Sequence, residues 1–318
     1  MCLLRLCAVS SAALVCSAGL TCCGVGSGKP VSFGDQSNII VWNAQAHTEH
    51  FVRSAFFYTD ASNLGFIAPS PSKPDLSEAD PKAFDLLDSQ NPVIKSGQAD
   101  SAAGAAKSDV EIVQEKDVAG YHATTVLASD SDALASWMKK NGYVTSPGIQ
   151  TWTQKYVSKG WFLTLFKVAA EHREASIGTV RMSFKTDAPF NPFYVPNDNI
   201  DPKKGSTLKV YFVSEGAYEP QISGKLWQDP KWSNGLDDKT ADTLAKDLKL
   251  SRSDLPASPS VEMFQDAFPQ TADDDIYFRA LPFPIFATSI FALIFIGAFV
   301  VLGFMIRDLR RKNQAGTQ

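Results

Sequence analysis

The sequence predicts an α+β fold: a largely antiparallel sheet with a few inserted helices, plus one C-terminal transmembrane helix. Three observations carry this. Runs rich in β-branched and aromatic residues, bounded by turn residues, recur from residue 38 to residue 215. Two segments of helical period interrupt them in one block, between 129 and 160. The stretch from Ala280 to Ile306 carries no charged residue, and about 20 apolar residues suffice for a helix to cross the hydrocarbon core.

The strands open the body. "NIIVWN" (38–43) and "TEHFVRSAFFY" (48–58), joined by "AQAH", read as a hairpin, and "NLGFIAPSP" (63–71) as a third short strand closed by prolines. A proline-rich connection then ends in a helical turn around Phe84 to Leu87. "KSGQADSAAGAAKSD" (95–109) has no apolar period and reads as a mobile linker. "VEIVQEKDVAGYHATTVLAS" (110–129) alternates like a strand pair.

The helices follow. In 129–143, Leu134, Trp137 and Met138 share one face, Ser129 or Ser131 can cap the start, and Gly142 ends it. The second helix lies in 146–160, with Pro147 near its start and Gly160 after its end. Strands return at "WFLTLFKVAA", "TVRMSFKT" and "TLKVYFVSE". Residues 237–250 form a short helix, and 251–264 read as a linker-like approach to a membrane.

The two ends place the body. Residues 1–22 have one basic residue, Arg5, then an apolar run and small residues, the pattern of a secretory signal peptide. The predicted helix of the cell membrane, 281–306, is followed by Arg307, Arg310, Arg311 and Lys312, so the tail 307–318 is expected in the cytoplasm. The domain spanning 23–270 is then expected outside the cytoplasm. "LTCC" sets Leu20 three positions before Cys23, an imperfect bacterial lipobox that makes Cys23 a candidate for lipidation.

Composition removes several function classes. The apolar fraction of 44% supports a normal core, and a net charge of −4 opposes nucleic-acid binding, which needs a basic stripe. All five cysteines fall in the first 23 residues. The body therefore has no disulfide framework, no thiolate nucleophile and no cysteine zinc site. No phosphate loop, EF-hand or nucleotide-binding fingerprint is present, so no cofactor is expected.

Several phrases together, "TEHFVR", "GFIAPSPSKPDL", "ALASWMKKNGY", "KYVSKGWFLTLFKV" and "VRMSFKTDAPFNPFYVP", resemble the bacterial family known as domain of unknown function 2330. The resemblance runs from about Cys22 to Tyr218. It implies an envelope protein with a signal peptide and often a C-terminal membrane helix. It brings no activity and no catalytic residues.

The candidate site is read from the residues themselves. On a strand, Glu49, Phe51, Arg53 and Phe57 share one face while His50 and Val52 share the other. Glu49 and Arg53 could together orient a charged ligand, and His50 would point away from them. Lys73 stands on the rigid exit "GFIAPSPSKP", and Arg181 shares a strand face with Ser183 and Lys185. The candidate ligand-binding residues are therefore Glu49, His50, Arg53, Lys73 and Arg181. No catalytic or metal-ligating set assembles: no Gly-x-Ser-x-Gly elbow is present, and "HTEH" is not the zinc-protease spacing. The expectation is a non-enzymatic binding or interaction module, anchored in the membrane and meeting an envelope protein, peptide or glycan. The alternatives are a hydrolase using His50 with a distant carboxylate, and a structural subunit of a membrane complex.

Overall fold

The computed structural model describes residues 23–25, 32–58, 65–91, 111–143, 145–168, 178–194, 196, 207–266 and 274–281. The chain divides into two units, Met1–Arg279 and Ala280–Gln318. The segments expected to be a signal peptide (1–22), a linker (95–109), a membrane span past Leu281 and a tail (307–318) lie outside the described residues. Among the described residues no helix is long and apolar enough to cross a membrane.

The predicted hairpin forms the middle of a seven-stranded sheet. β2 (Ser32–Asn43) pairs antiparallel with β3 (Thr48–Tyr58), setting Ile40 opposite Phe51. β3 pairs with β9 (Thr179–Lys185), and β9 with the edge strand β5 (Asp75–Ala79). On its other side β2 runs parallel to β11 (Leu208–Ser214), which is followed outward by β15 (Ser260–Asp266) and β14 (Trp232–Gly235). All other pairings in this sheet are antiparallel.

A second sheet takes five strands in the order β1 (Cys23–Val25), β4 (Gly65–Ser70), β8 (Phe162–Val168), β7 (Tyr121–Leu127) and β6 (Glu111–Val118). A small third sheet orders β10 (Phe190–Asn191), β16 (Ile276–Ala280), β12 (Tyr218–Ile222) and β13 (Lys225–Leu226).

Three apolar clusters stack these pieces into layers. Ile40, Phe51, Met182 and Phe212 of the large sheet meet Phe66, Tyr121 and Phe166 of the second, with Phe190 and Phe278 of the third filling the same core. The opposite face of the large sheet, with Ile39, Val52 and Tyr211, is covered by α1 (Lys82–Asp88) and α4 (Asp238–Asp247). The opposite face of the second sheet, with Ile67, Val126 and Leu165, is covered by α2 (Ser131–Lys140) and α3 (Pro147–Val157). Both principal sheets are thus buried on both faces, which is why β4 is buried along its whole length. Within the second sheet the strands β4 and β8 approach closely at Gly65, where an added Cβ would stand 2.0 Å from the Phe166 carbonyl oxygen.

Helix ends follow the expected chemistry with one correction. Asp130, and neither Ser129 nor Ser131, caps α2, its Oδ1 accepting from Ala133 N at 2.7 Å. Ser146 caps α3 ahead of Pro147, and Asp237 caps α4. Gly142 and Gly160 take the left-handed conformation after α2 and α3, at φ 74° and 67°.

Three segments depart from the expectation. The proline-rich connection contains β5, and the linker-like 251–264 runs into β15, whose Val261 and Met263 face the helices while Phe264 faces the sheets. The body also continues past residue 270 into β16. Asp275, at the head of β16, is fully buried and accepts from Tyr156 Oη at 2.9 Å, Phe193 N at 3.0 Å and Tyr194 N at 3.2 Å. This one carboxylate ties α3 and the aromatic 190–194 segment to β16. That segment folds inward: Phe190 and Phe193 are core residues.

Candidate functional site

β3 lies between β2 and β9, so "TEHFVR" is an interior strand and not a sheet edge. The alternation holds. Glu49, Phe51 and Arg53 point between the two sheets, and His50 and Val52 point toward the helix layer.

The inner face keeps its two ionisable side chains apart. Four residues of strand put Glu49 and Arg53 about 13 Å apart along the backbone. Glu49 is fully buried, and its Oε2 accepts from Phe190 N at 2.9 Å. Burial raises its pKa well above the ordinary carboxylate value, against the opposing pull of that hydrogen bond. Arg53 donates to Gln36 Oε1 at 2.7 Å and lies 4.8 Å from the Phe66 ring centroid. Beside them Asn38 donates to Asn191 Oδ1 at 2.7 Å. The interior between the sheets therefore holds a polar row within an aromatic core.

The outer face gathers His50, Ser183, Arg181 and Asp75. His50 Nδ1 is 2.8 Å from Ser183 Oγ, which the β3–β9 register sets directly opposite. Arg181 donates to the carbonyls of Leu248 and Lys249 at the end of α4 and pairs with Asp75 at 2.8 Å. It is a cation capping a helix C-terminus, where the last carbonyls have no helical partner. Burial, then the Arg181 charge, lowers the His50 pKa to about 4, against the opposing influence of Asp254. Lys73 is exposed on the loop two residues before Asp75.

A hydroxyl against an imidazole supplies the two members of a nucleophile–base pair. Among the described residues no carboxylate is hydrogen-bonded to the imidazole to orient it. An imidazole held near 4 is a weak proton acceptor at neutral pH. The Asp254 carboxylate is occupied by its own turn, accepting from Ser251 N at 2.8 Å. Among the described residues no group of three or more His, Cys, Asp or Glu side chains could hold a metal ion.

The five sequence-predicted residues thus fall in two places. Glu49 and Arg53 are interior; His50 and Arg181 share the outer face, with Lys73 exposed on the loop that leads into β5. A second histidine, His122, sits in the other sheet, its Nδ1 3.0 Å from Asp117 Oδ1 and its Nε2 3.4 Å from Thr124 Oγ1. That cluster follows from the β6–β7 hairpin, whose two-residue turn has positive φ at Ala119 and Gly120 and so pairs Asp117 with His122. The "VAGY" turn in the sequence carried that signal.

An accessible concavity lies elsewhere among the described residues. A groove of about 930 Å³ opens where α2, the end of α3 and the start of β6 meet. Leu134, Trp137 and Val157 form its buried lining, and Ser136, Glu111 and Lys140 its exposed lining. Sequence reading placed Trp137 on the packed face of its helix, which it is, and did not anticipate the groove.

Neither a curated protein nor a solved structure matches the chain. A family model described as an uncharacterized protein conserved in bacteria matches residues 16–223, spanning the five-stranded sheet, five strands of the seven-stranded one, α2, α3 and all five sequence-predicted residues. With well over half its length covered, the chain belongs to the DUF2330 family.

Proposed function

We propose that this chain is a non-enzymatic binding or interaction module, displayed outside the cytoplasm by the C-terminal 281–306 segment. One observation carries the reading: the polar residues of "TEHFVR" are spent inside the fold, while the open groove combines an apolar lining with hydroxyl and charged side chains. Arg53, Glu49, His50 and Arg181 each bond to groups of their own chain, an arrangement suited to holding the layers in register. The extracytoplasmic placement rests on the signal-peptide pattern and the basic tail after Ile306.

The test is a thermal-shift screen of the full chain in detergent against divalent metals, cell-wall fragments and short peptides, beside a panel of ester and amide substrates. A saturable rise in Tm with one ligand class, and no turnover, is the expected result. Turnover that disappears in His50→Ala, with the fold intact, would replace this reading by the hydrolase.

A further inference from the structure

We infer that the body rests on the lipid surface through the β16 strand of the third sheet and the end of α3, where Lys159 and Arg279 meet the phosphates of anionic headgroups. The inference rests on the membrane-display reading above and names the partner of the body's own surface.

The chain itself limits the distance to a bilayer. β16 ends at Ala280, and the uncharged run continues from there to Ile306. Arg279 is exposed and stands two residues before Leu281, where the expected membrane segment begins. Even fully extended, two residues span only about 7 Å. A protein partner on this surface would have to share it with the bilayer that the chain enters at once.

The side chains around that exit suit a headgroup layer. Trp161, Phe190 and Tyr277 form one aromatic strip, with successive ring centroids 5.1 Å and 5.8 Å apart. A cation stands over each end of it. Lys159 Nζ is 4.9 Å from the Trp161 ring centroid, and the Arg279 guanidinium is 5.3 Å from that of Tyr277. Phe190 is buried, Trp161 and Tyr277 are half-buried, and both cations are exposed. Half-covered Trp and Tyr rings beside Lys and Arg match the boundary between lipid and water: the rings tolerate both media, and the cations reach phosphate. Leu281 is 46% exposed, and the other exposed large apolar side chain among the described residues, Leu226, lies on β13 of the same sheet.

The charge has the matching sign. Lys155, one turn before Lys159, is engaged within the fold, with Asp274 at 2.7 Å and the buried Asp275 at 3.7 Å. Among the described residues neither Lys159 nor Arg279 has an ion-pair partner; their only recorded side-chain partners are the two rings. Three cations against two carboxylates leave the patch positive, which favours an anionic lipid surface over a zwitterionic one.

The experiment uses the full chain, labelled with 5-fluorotryptophan, in nanodiscs of phosphatidylcholine with or without phosphatidylglycerol, a trace of lipid carrying gadolinium on its headgroup. The Trp161 and Trp232 resonances are assigned by their loss in Trp161→Phe and Trp232→Phe. Trp232 packs on the helix-covered side of the large sheet, away from the third sheet, and serves as the reference. With phosphatidylglycerol present, Trp161 is expected to relax about threefold faster than Trp232, and that excess to fall by about half in phosphatidylcholine alone or in Lys159→Glu/Arg279→Glu. Both substituted side chains are exposed, so the double variant should keep the wild-type Tm; the change of lipid tests the same charges in the unaltered chain. Equal relaxation of the two tryptophans, an excess indifferent to lipid charge, or an excess seen only with two copies in each disc overturns the inference. Equal relaxation in a chain that resists alkaline carbonate extraction removes this contact and leaves the display reading standing; a chain that carbonate extracts removes both.

Discussion

The two faces of β3 hold their protons in opposite senses. On the inner face burial raises the Glu49 pKa; on the outer face burial, with Arg181, lowers that of His50 to about 4. The cause is the same on both. Removing water penalises whichever form is charged, so an acid keeps its proton and an imidazole gives its proton up. The linkage signs are therefore opposite. The Glu49 contribution is fully present below its unfolded value near 4.5 and is lost as pH rises through the folded value. The His50 contribution is present above 6.5 and is lost as pH falls to about 4. Between 4.5 and 6.5 the two slopes oppose each other.

The sharpest way to break this comparison is Arg53→Ala. It removes a guanidinium buried between the sheets and strips Gln36 Oε1 of a donor, at an expected cost of about 3 kcal/mol in urea unfolding. Arg181→Ala should cost less, about 1–2 kcal/mol, because its ionic partner Asp75 is 66% exposed. Equal costs would mean that the inner polar row does not hold the sheets together.

Next in size is the acid limb. His50→Asn should remove about 2–3 kcal/mol of pH-dependent stability between pH 6.5 and 4, whatever its effect at pH 7. A stability curve as steep as the wild type's in that window would show that another group supplies it. Glu49→Gln acts on the other side. It should flatten the loss at higher pH and leave the variant more stable than the wild type there. A variant that is less stable at every pH would assign Glu49 an ionised role.

The smallest effect concerns the helix end that Arg181 caps. Lys249 follows α4 with φ at 54°, a conformation that favours glycine. Lys249→Gly should raise stability by about 0.5–1 kcal/mol, read as a higher Tm, provided the carbonyl that accepts from Arg181 stays in place.

The sequence made the helices of the second layer and the alternation of β3 readable, because caps, end glycines and period two are local signals. Phe51 and Val52 had only one consistent pair of faces to choose between. β5 was not readable: "DLSEA" buries only Leu76 and Ala79 among polar neighbours and looks like a loop. β15 and β16 were obscured by their surroundings, a Ser-Pro approach in one case and a run of aspartates in the other. Asp275 illustrates the difficulty: beside a charged run it looks like a solvated flank, and only packing against Tyr156 and Phe193 makes it interior. The site was harder still. Glu49 meets Phe190, and Trp137 meets the groove, through contacts that depend on which layer covers which, and no local pattern encodes that.

The parallel pairing of β2 with β11 has a consequence for the order of events in biogenesis. Ile40 cannot find its neighbour Phe212 until most of the chain has been synthesised. The β2–β3 hairpin, made early, must therefore wait with an unsatisfied backbone edge and apolar residues on both faces. Self-contained pieces such as the β6–β7 hairpin can form as they emerge, but the central sheet can only close late. Until that closure, protection of the nascent segment from premature strand pairing falls to whatever escorts it.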